Sequence, residues 1–590
     1  MKRLAFASIG LVTAASLVAP PALAEATPQA PPVKRPVAEG RGGAVATVDL
    51  DASKAAIDVL KKGGNAVDAA VAAAATLGVT EPYSAGLAGG GFLVYYDARR
   101  GKVHTIDGRE TAPRAMTATS LQENGAPIPF DQAVTSGLSV GVPGSVAQWD
   151  LALRRFGTIS LGEALRPAIE VATKGFVVDQ TFHDQTAQNA DRFKDFTSTA
   201  RLFLPGGAPP RVGSVFRNPD LARTYRELGA RGARWLYDGR LGDEIVATVK
   251  RPPVAPGSTR TVRPGLMEKP DLRAYRAIER PAARVSYRGM DVYGMAPPSS
   301  GGSTVGEALN ILQALPKAGL HEFLEASRLA FADRNAYVGD PDHVRVPLRE
   351  LLSDGFAKER ACLIGDRAMA HPAAAGVPDG FYEPCPGAPG PLPKGVSEKP
   401  EGPETTHLVV ADKWGNVVAY NITIEQTGGS GIVVPGRGFL LNNELTDFTF
   451  GPAEGDPNLP GPGKRPRSSM APTIVVKDGR PLLAVGSPGG ASIITTVLQI
   501  LVNRFEFGMP LPQALAAPRA SQRNAAATQA EQGFIDAHGP ALTALGHAFT
   551  DAPGGEIGAA TALEFRGRDR VQAVAEPARR GGGSALVVKP

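Results

Sequence analysis

The chain is poor in cysteine, in aromatic residues and in net charge, and only one of its apolar runs is long. Its 590 residues include two cysteines, Cys362 and Cys385. So few exclude a small disulfide-stapled scaffold. In an oxidising compartment the two could pair and close a short loop, and two separate thiols fit the sequence equally well. Neither they nor the eight scattered histidines show metal-ligand spacing, so no metal and no cofactor is expected. A formal charge of +5 is small for this length, and no basic stripe is interleaved with the 6% of aromatic residues. A nucleic-acid partner is therefore not expected.

The long apolar run is at the N-terminus. Lys2-Arg3 precede a small, apolar stretch at residues 4–18, and Ala22-Leu23-Ala24 forms a small-x-small site before Glu25. This pattern predicts a signal peptide over residues 1–24. The run is short and breaks at Pro20-Pro21, which argues against a membrane anchor. The mature protein is expected to be soluble, periplasmic or secreted, and free of the membrane.

What is abundant is glycine (69) and proline (52), within an ordinary 43% hydrophobic and 21% charged composition. These numbers describe a globular chain with many turns, long enough for two to four domains. Residues 25–40 read as a flexible lead-in. Asp51 reads as the N-cap of a helix that ends at Gly63-Gly64, and residues 66–78 as a buried Ala-rich helix. Residues 92–96, 102–106 and 285–293 read as strands, 151–250 as mainly helical, and 303–314 as a helix. Residues 368–403 are rich in Pro and Gly and have little periodicity. Past Thr405 the pattern turns to hairpins around Asp412-Lys413-Trp414-Gly415 and Lys477-Asp478-Gly479-Arg480. Gly486-Ser487-Pro488-Gly489-Gly490 then opens an apolar helix over residues 491–504. Helices, then strands, then helices predict a layered α/β fold.

The boundary Glu404-Thr405 holds the most chemistry. A Thr at a strand start, directly after an irregular tract, marks a point where the chain could be cut. A Thr made N-terminal would carry hydroxyl nucleophile and α-amino base in one residue. That amine has an ordinary pKa near ~7.7–8.0, suited to general-base work at neutral pH. Gly489-Gly490, before a helix, could present backbone N–H groups to an oxyanion, or could simply make a tight turn. Arg109 could hold a carboxylate in a bidentate manner, with Ser468 and Ser469 donating to the same group. Glu425, Glu444 and Asp447 could surround an ammonium. Together these anchors suit the zwitterionic head of an amino acid.

Several motifs carry a family resemblance. Thr405-Thr406-His407, Asn442-Asn443-Glu444-Leu445-Thr446-Asp447-Phe448, Lys464-Arg465-Pro466-Arg467-Ser468-Ser469-Met470 and Gly486-Ser487-Pro488-Gly489-Gly490 resemble the γ-glutamyltransferases. So do Gly63-Gly64-Asn65-Ala66-Val67-Asp68-Ala69-Ala70, Pro297-Pro298-Ser299-Ser300-Gly301-Gly302 and Ala332-Asp333-Arg334. The resemblance runs in order from about residue 44 to the C-terminus. It implies a four-layer αββα N-terminal-nucleophile hydrolase, made as one precursor that cuts itself between Glu404 and Thr405. Residues 41–404 would form a large subunit and 405–590 a small catalytic one, and the two would stay associated.

The resemblance further implies that Thr405 takes the γ-glutamyl group of glutathione or another γ-glutamyl compound as an ester. Water, or an amino acid or peptide acceptor, would then resolve it. Thr423 would support the nucleophile, and Gly489 and Gly490 would stabilise the oxyanion. Arg109, Ser468 and Ser469 would bind the α-carboxylate, and Glu425, Glu444 and Asp447 the α-ammonium. An alternative is a cephalosporin or glutaryl-type β-lactam acylase, which needs the carboxylate site but no ammonium site. A catalytically silent binding protein would require loss of Thr405 or of the glycine pair, and both are present.

Three departures stand out. Glu425 replaces a common Asn, which is expected to preserve ammonium binding and add negative charge. Gly428-Gly429-Ser430-Gly431 lacks a usual aromatic. Residues 451–463 look short for a lid, which predicts a more open pocket able to admit large γ-glutamyl substrates.

Overall fold

The computed structural model describes residues 29–370, 372–383, 385, 404–451, 455–567 and 569–590. The expected signal peptide, residues 25–28 of the lead-in and residues 386–403 of the Pro/Gly-rich segment lie outside the described residues.

Thirteen strands form one antiparallel sheet. In chain order they are β1 (Val37–Thr47), β2 (Gly90–Asp97), β3 (Lys102–Asp107), β4 (Ile278–Arg280), β5 (Ala283–Tyr287), β6 (Met290–Gly294), β7 (Thr406–Asp412), β8 (Val417–Thr423), β9 (Thr473–Lys477), β10 (Arg480–Gly486), β11 (Thr561–Phe565), β12 (Arg570–Val574) and β13 (Ser584–Lys589). Their spatial order is β4-β3-β2-β8-β7-β1-β12-β11-β10-β9-β6-β5, with β13 also on β1. The principal helices are α1 (Leu50–Lys61), α2 (Ala66–Thr80), α3 (Ser145–Phe156), α4 (Gly301–Ala314), α5 (Leu320–Tyr337) and α6 (Ser492–Phe505).

Alternation along the strands builds the layers. On β7, Leu408 and Val410 pack with α1, α2 and α3, while Val409 and Ala411 point the other way. There they meet Ile474 of β9, Ala484 of β10 and Leu563 of β11. The far faces of those strands, through Val475, Leu483 and Ala562, pack under α4, α5 and α6. The sheet is therefore folded back on itself between two helical layers, giving the expected αββα stack. Each fully buried Leu or Val stabilises the stack by roughly 1.5–3 kcal/mol.

The fold-back runs through β1. Its first part, Val37–Arg41, pairs with β12; its second part pairs with β7 on one edge and β13 on the other. The register shifts between Arg41 and Ala44, where Gly42 and Gly43 have φ of 79° and 129°. A side chain would be strained at both positions, so glycine makes the bend possible.

Local readings needed correction in three places, and one open alternative, the state of the cysteines, is decided. The strand starts at Val37, inside the supposed lead-in, because Val37 pairs with Val574 and the Pro36 carbonyl accepts from Ala575 N at 2.7 Å. The N-cap of α1 is Asp49, whose carboxylate accepts from Ala52 N at 2.9 Å; Asp51 lies in the first turn. Residues 285–293 are a hairpin, turned at Arg288 and Gly289, with φ of 50° and 75°. Cys362 and Cys385 are bonded as a disulfide.

Candidate active site

The strand pair β7 and β8 brings the first two groups together. Thr406 is paired with Ile422, so one residue further along the ladder Thr405 lies across from Thr423. Their hydroxyl oxygens are 3.3 Å apart. The carbonyl oxygen of Glu404 completes a triangle, 2.5 Å from Thr405 Oγ and 3.4 Å from Thr423 Oγ. Thr423 Oγ also accepts the Glu425 N–H at 2.9 Å, which fixes its position. Both threonines are buried.

The glycine loop is tied to the same strands. The Asn421 amide donates to Thr406 O at 3.4 Å and to Ser487 O at 3.0 Å. Gly489 and Gly490 have φ of 135° and 56° and stand directly before α6. A Cβ on Gly489 would lie 2.7 Å from Ser492 Oγ, the hydroxyl that donates to Gly489 O at 2.7 Å. Gly490 lines the cleft that contains Thr405, whereas Gly489, the residue before it, is not among the lining residues. His407, two residues past Thr405, is buried with Nδ1 2.8 Å from Thr561 Oγ. Burial pushes its pKa down to about 3, so it stays neutral.

The opposite wall is charged. Past the end of β3, the Arg109 N–H donates to Asp107 at 2.8 Å, and its side chain donates to Pro466 O (3.1 Å) and Arg467 O (2.9 Å). Its remaining guanidinium edge forms ion pairs with Glu444 and Asp447. Arg109, the two serines and the acids thus meet in one cluster, with the arginine paired directly to Glu444 and Asp447. Ser468 Oγ accepts the Met470 N–H at 3.2 Å, and Ser469 Oγ accepts from Arg334 at 2.7 Å. Arg334 also donates to Ser300 at 2.9 Å, so helix α5 buttresses the serine loop.

Glu425 sits beside this cluster. Burial, and then the neighbouring Asp447, hold its carboxyl well above the ordinary range. That favours the neutral acid. The substitution therefore offers hydrogen-bonding groups much like the amide it replaces, rather than an extra negative charge.

Arg109, Glu404, Thr405, Thr423, Glu425, Glu444, Asp447, Ser468, Ser469 and Gly490 all line this one cleft. Residues overlooked in the sequence adjoin those that line it. Glu110 is buried, and burial raises its pKa to about 8 against the opposing pull of Arg109. Ser84 and Arg580 flank Glu404. Arg334 lies in a motif that was visible, but its contact with Ser469 was not.

A Thr opening an inner strand, faced by a glycine loop at a helix start within an αββα stack, is the plan of an N-terminal-nucleophile hydrolase. Residues 52–586 match the Gamma-glutamyltranspeptidase family, and the chain belongs to it. The "Glutathione hydrolase proenzyme" of Bacillus subtilis (strain 168) is 38% identical over 526 residues, covering 87% of this chain and 86% of that one. The "Acylase ACY 1 proenzyme" of Pseudomonas sp. (strain SE83) is 34% identical over 534 residues, covering 88% and 89%. Among solved structures, a cephalosporin acylase from Bacillus halodurans aligns with a TM-score of 0.82 at 28% identity, covering 96% and 99%. The chain is an enzyme of the hydrolase and transferase kind.

Proposed function

We propose that the protein is a precursor that cuts itself between Glu404 and Thr405 and then acts as a γ-glutamyltransferase and glutathione hydrolase. The observation that carries this is the Thr405–Thr423–Glu404 triangle at one wall of a cleft whose other wall is the Arg109, Glu444 and Asp447 cluster. In the cut, Thr405 Oγ adds to the Glu404 carbonyl carbon while Thr423 donates to the carbonyl oxygen. The C–N bond breaks, the hydroxyl proton passes to the departing amine, and water hydrolyses the resulting ester. The products are a Glu404 carboxylate and a Thr405 with a free α-amine.

In turnover the α-amine takes the hydroxyl proton as Oγ attacks the γ-amide of a γ-glutamyl compound such as glutathione. Gly489 and Gly490 stabilise the oxyanion with backbone N–H groups at a helix start. The substrate α-carboxylate inserts against Arg109, Ser468 and Ser469, and the α-ammonium against Glu425, Glu444 and Asp447. Water or an amino acid or peptide amine resolves the ester. The subunits 41–404 and 405–590 stay together. Export by the signal peptide to the periplasm or beyond is part of this reading, and the Cys362–Cys385 bond supports an oxidising compartment.

A second reading is favoured by the acylase relatives: hydrolysis of a glutaryl side chain from a β-lactam. Glutaryl groups lack the α-amine, and the acid cluster then has no partner in the substrate. The test expresses the wild type and Thr405→Ala, identifies subunits by mass spectrometry, and compares γ-glutamyl with glutaryl anilides, with and without a dipeptide acceptor. Uncut but fully active wild type overturns the mechanism. Preference for the glutaryl substrate establishes the acylase instead.

A further inference from the structure

Arg580 grips both residues that flank the bond to be cut. One guanidinium nitrogen donates to the Thr405 carbonyl at 3.0 Å. The other contacts the Glu404 carboxylate and donates to Ser84 Oγ at 3.0 Å. Ser84 in turn donates to the same Glu404 carboxylate oxygen at 3.0 Å. The scissile peptide is thus held on its two sides while the bond itself is left untouched.

The backbone gives up stability to deliver this side chain. Arg580 has φ of 53°, followed by Gly581 at 72° and Gly582 at 74°. A residue with a Cβ is strained in that region, where glycine is not. The turn is pinned on every side. Arg579, immediately before it, forms buried ion pairs with Glu531 and Glu576. The Arg580 N–H donates to Glu556 at 2.9 Å, and Thr181 donates to the Arg580 carbonyl at 3.2 Å. An over-determined, strained residue whose side chain holds both neighbours of a reacting bond points to a role in the reaction.

We propose that Arg580 is a positioning residue for the cut, and that the Glu404 side chain is the handle by which it holds the carbonyl in front of Thr405. The proposal rests on the self-cleavage reading above. Attack requires the Glu404 carbonyl carbon to stay within reach of Thr405 Oγ while the peptide plane turns. Fixing the Thr405 carbonyl on one side and the Glu404 carboxylate on the other limits that motion to the useful rotation. It also gives the cut a preference for an acidic residue before Thr405, because an Arg–carboxylate contact is lost with any neutral side chain. In the cut protein the same guanidinium still fixes the Thr405 carbonyl, and with it the direction of the new α-amine.

The test measures the rate of subunit formation after cell-free synthesis, by gel and by mass spectrometry of the Thr405 terminus. It compares wild type, Arg580→Met, Arg580→Lys, Glu404→Gln and the Arg580→Met/Glu404→Gln double variant, with folding checked by thermal unfolding against uncut Thr405→Ala. Arg580→Met is expected to cut about 10²-fold more slowly, the cost of a misplaced reacting group. Glu404→Gln is expected to cut about tenfold more slowly, and Arg580→Lys to fall between Arg580→Met and wild type. The double variant is expected to be no slower than Arg580→Met, since both changes remove one contact. A merely structural Arg580 would give additive losses instead. Folded Arg580→Met cutting at the wild-type rate overturns the clamp, as does full additivity in the double variant. Should Arg580→Met not fold, wild-type rates in both Arg580→Lys and Glu404→Gln overturn it. A wild type that never divides overturns the self-cleavage reading, whereas division in wild type and equally in the folded variants overturns the clamp alone.

Discussion

Thr405 and Thr423 face each other from the ends of two paired strands, with their hydroxyl oxygens 3.3 Å apart. The pairing places a donor beside both the nucleophile and the carbonyl it would attack. Thr405→Ala is expected to abolish both subunit formation and turnover. Thr423→Val keeps the shape and removes the hydroxyl, and a loss of about 10²–10³ in the rate of the cut is expected, the size of one missing oxyanion donor. Densitometry of the two subunits over time checks both.

Glu425 is expected to behave as a neutral group. Glu425→Gln should then leave KM and kcat for a γ-glutamyl anilide close to wild type near neutral pH. As pH rises and the wild-type carboxyl ionises, the two proteins should diverge, because only the variant cannot gain charge. KM measured from pH 6 to 9 decides the matter; a large loss already at pH 6 would show that the ionised acid is required.

Glu110 is buried with neither carboxyl oxygen hydrogen-bonded among the described residues, and its pKa is raised to about 8. The folded state therefore keeps a proton that the unfolded chain releases near pH 4.5. Its contribution to stability is full below that pH and is lost as pH rises toward 8. Glu110→Gln removes this loss. The Tm difference between variant and wild type should grow in the variant's favour between pH 5 and 8, read by calorimetry.

His547 gives the opposite slope. Its Nε2 is 2.8 Å from Nδ1 of His321, and burial, then His321 and Arg328, push its pKa down to about 4. Between pH 6.5 and 4 the unfolded chain binds a proton that the folded state refuses, so stability falls on acidification through that window. The buried His407, pushed down to about 3, adds to the same trend. His547→Gln should flatten part of the acid slope in Tm without altering it above pH 7.

Much of the site was legible because its chemistry is local. Thr405 opens a hairpin, the glycine pair opens a helix, and Glu444 and Asp447 share one short motif. The hairpin turn at Asp412-Lys413-Trp414-Gly415 marked the strand that starts after Thr405. What sequence hid was pairing across distance. Arg109 meets Glu444 from 335 positions away, and only the folded-back sheet sets them side by side. The upward push on the Glu425 carboxyl follows from burial and Asp447, which no residue pattern reports. Arg580 left no signal, because an arginine beside glycines near a C-terminus reads as a solvated turn.

The bend in β1 has a consequence for the divided protein. That strand precedes Glu404, yet its hydrogen-bonding partners β7, β12 and β13 all follow Thr405. Both cysteines precede Glu404, so the disulfide would tie no subunit to the other. A cut would leave two polypeptides threaded through one sheet, each supplying edges the other needs. Such pieces could not trade partners without unravelling the core, so every divided molecule would keep for life the half it was born with.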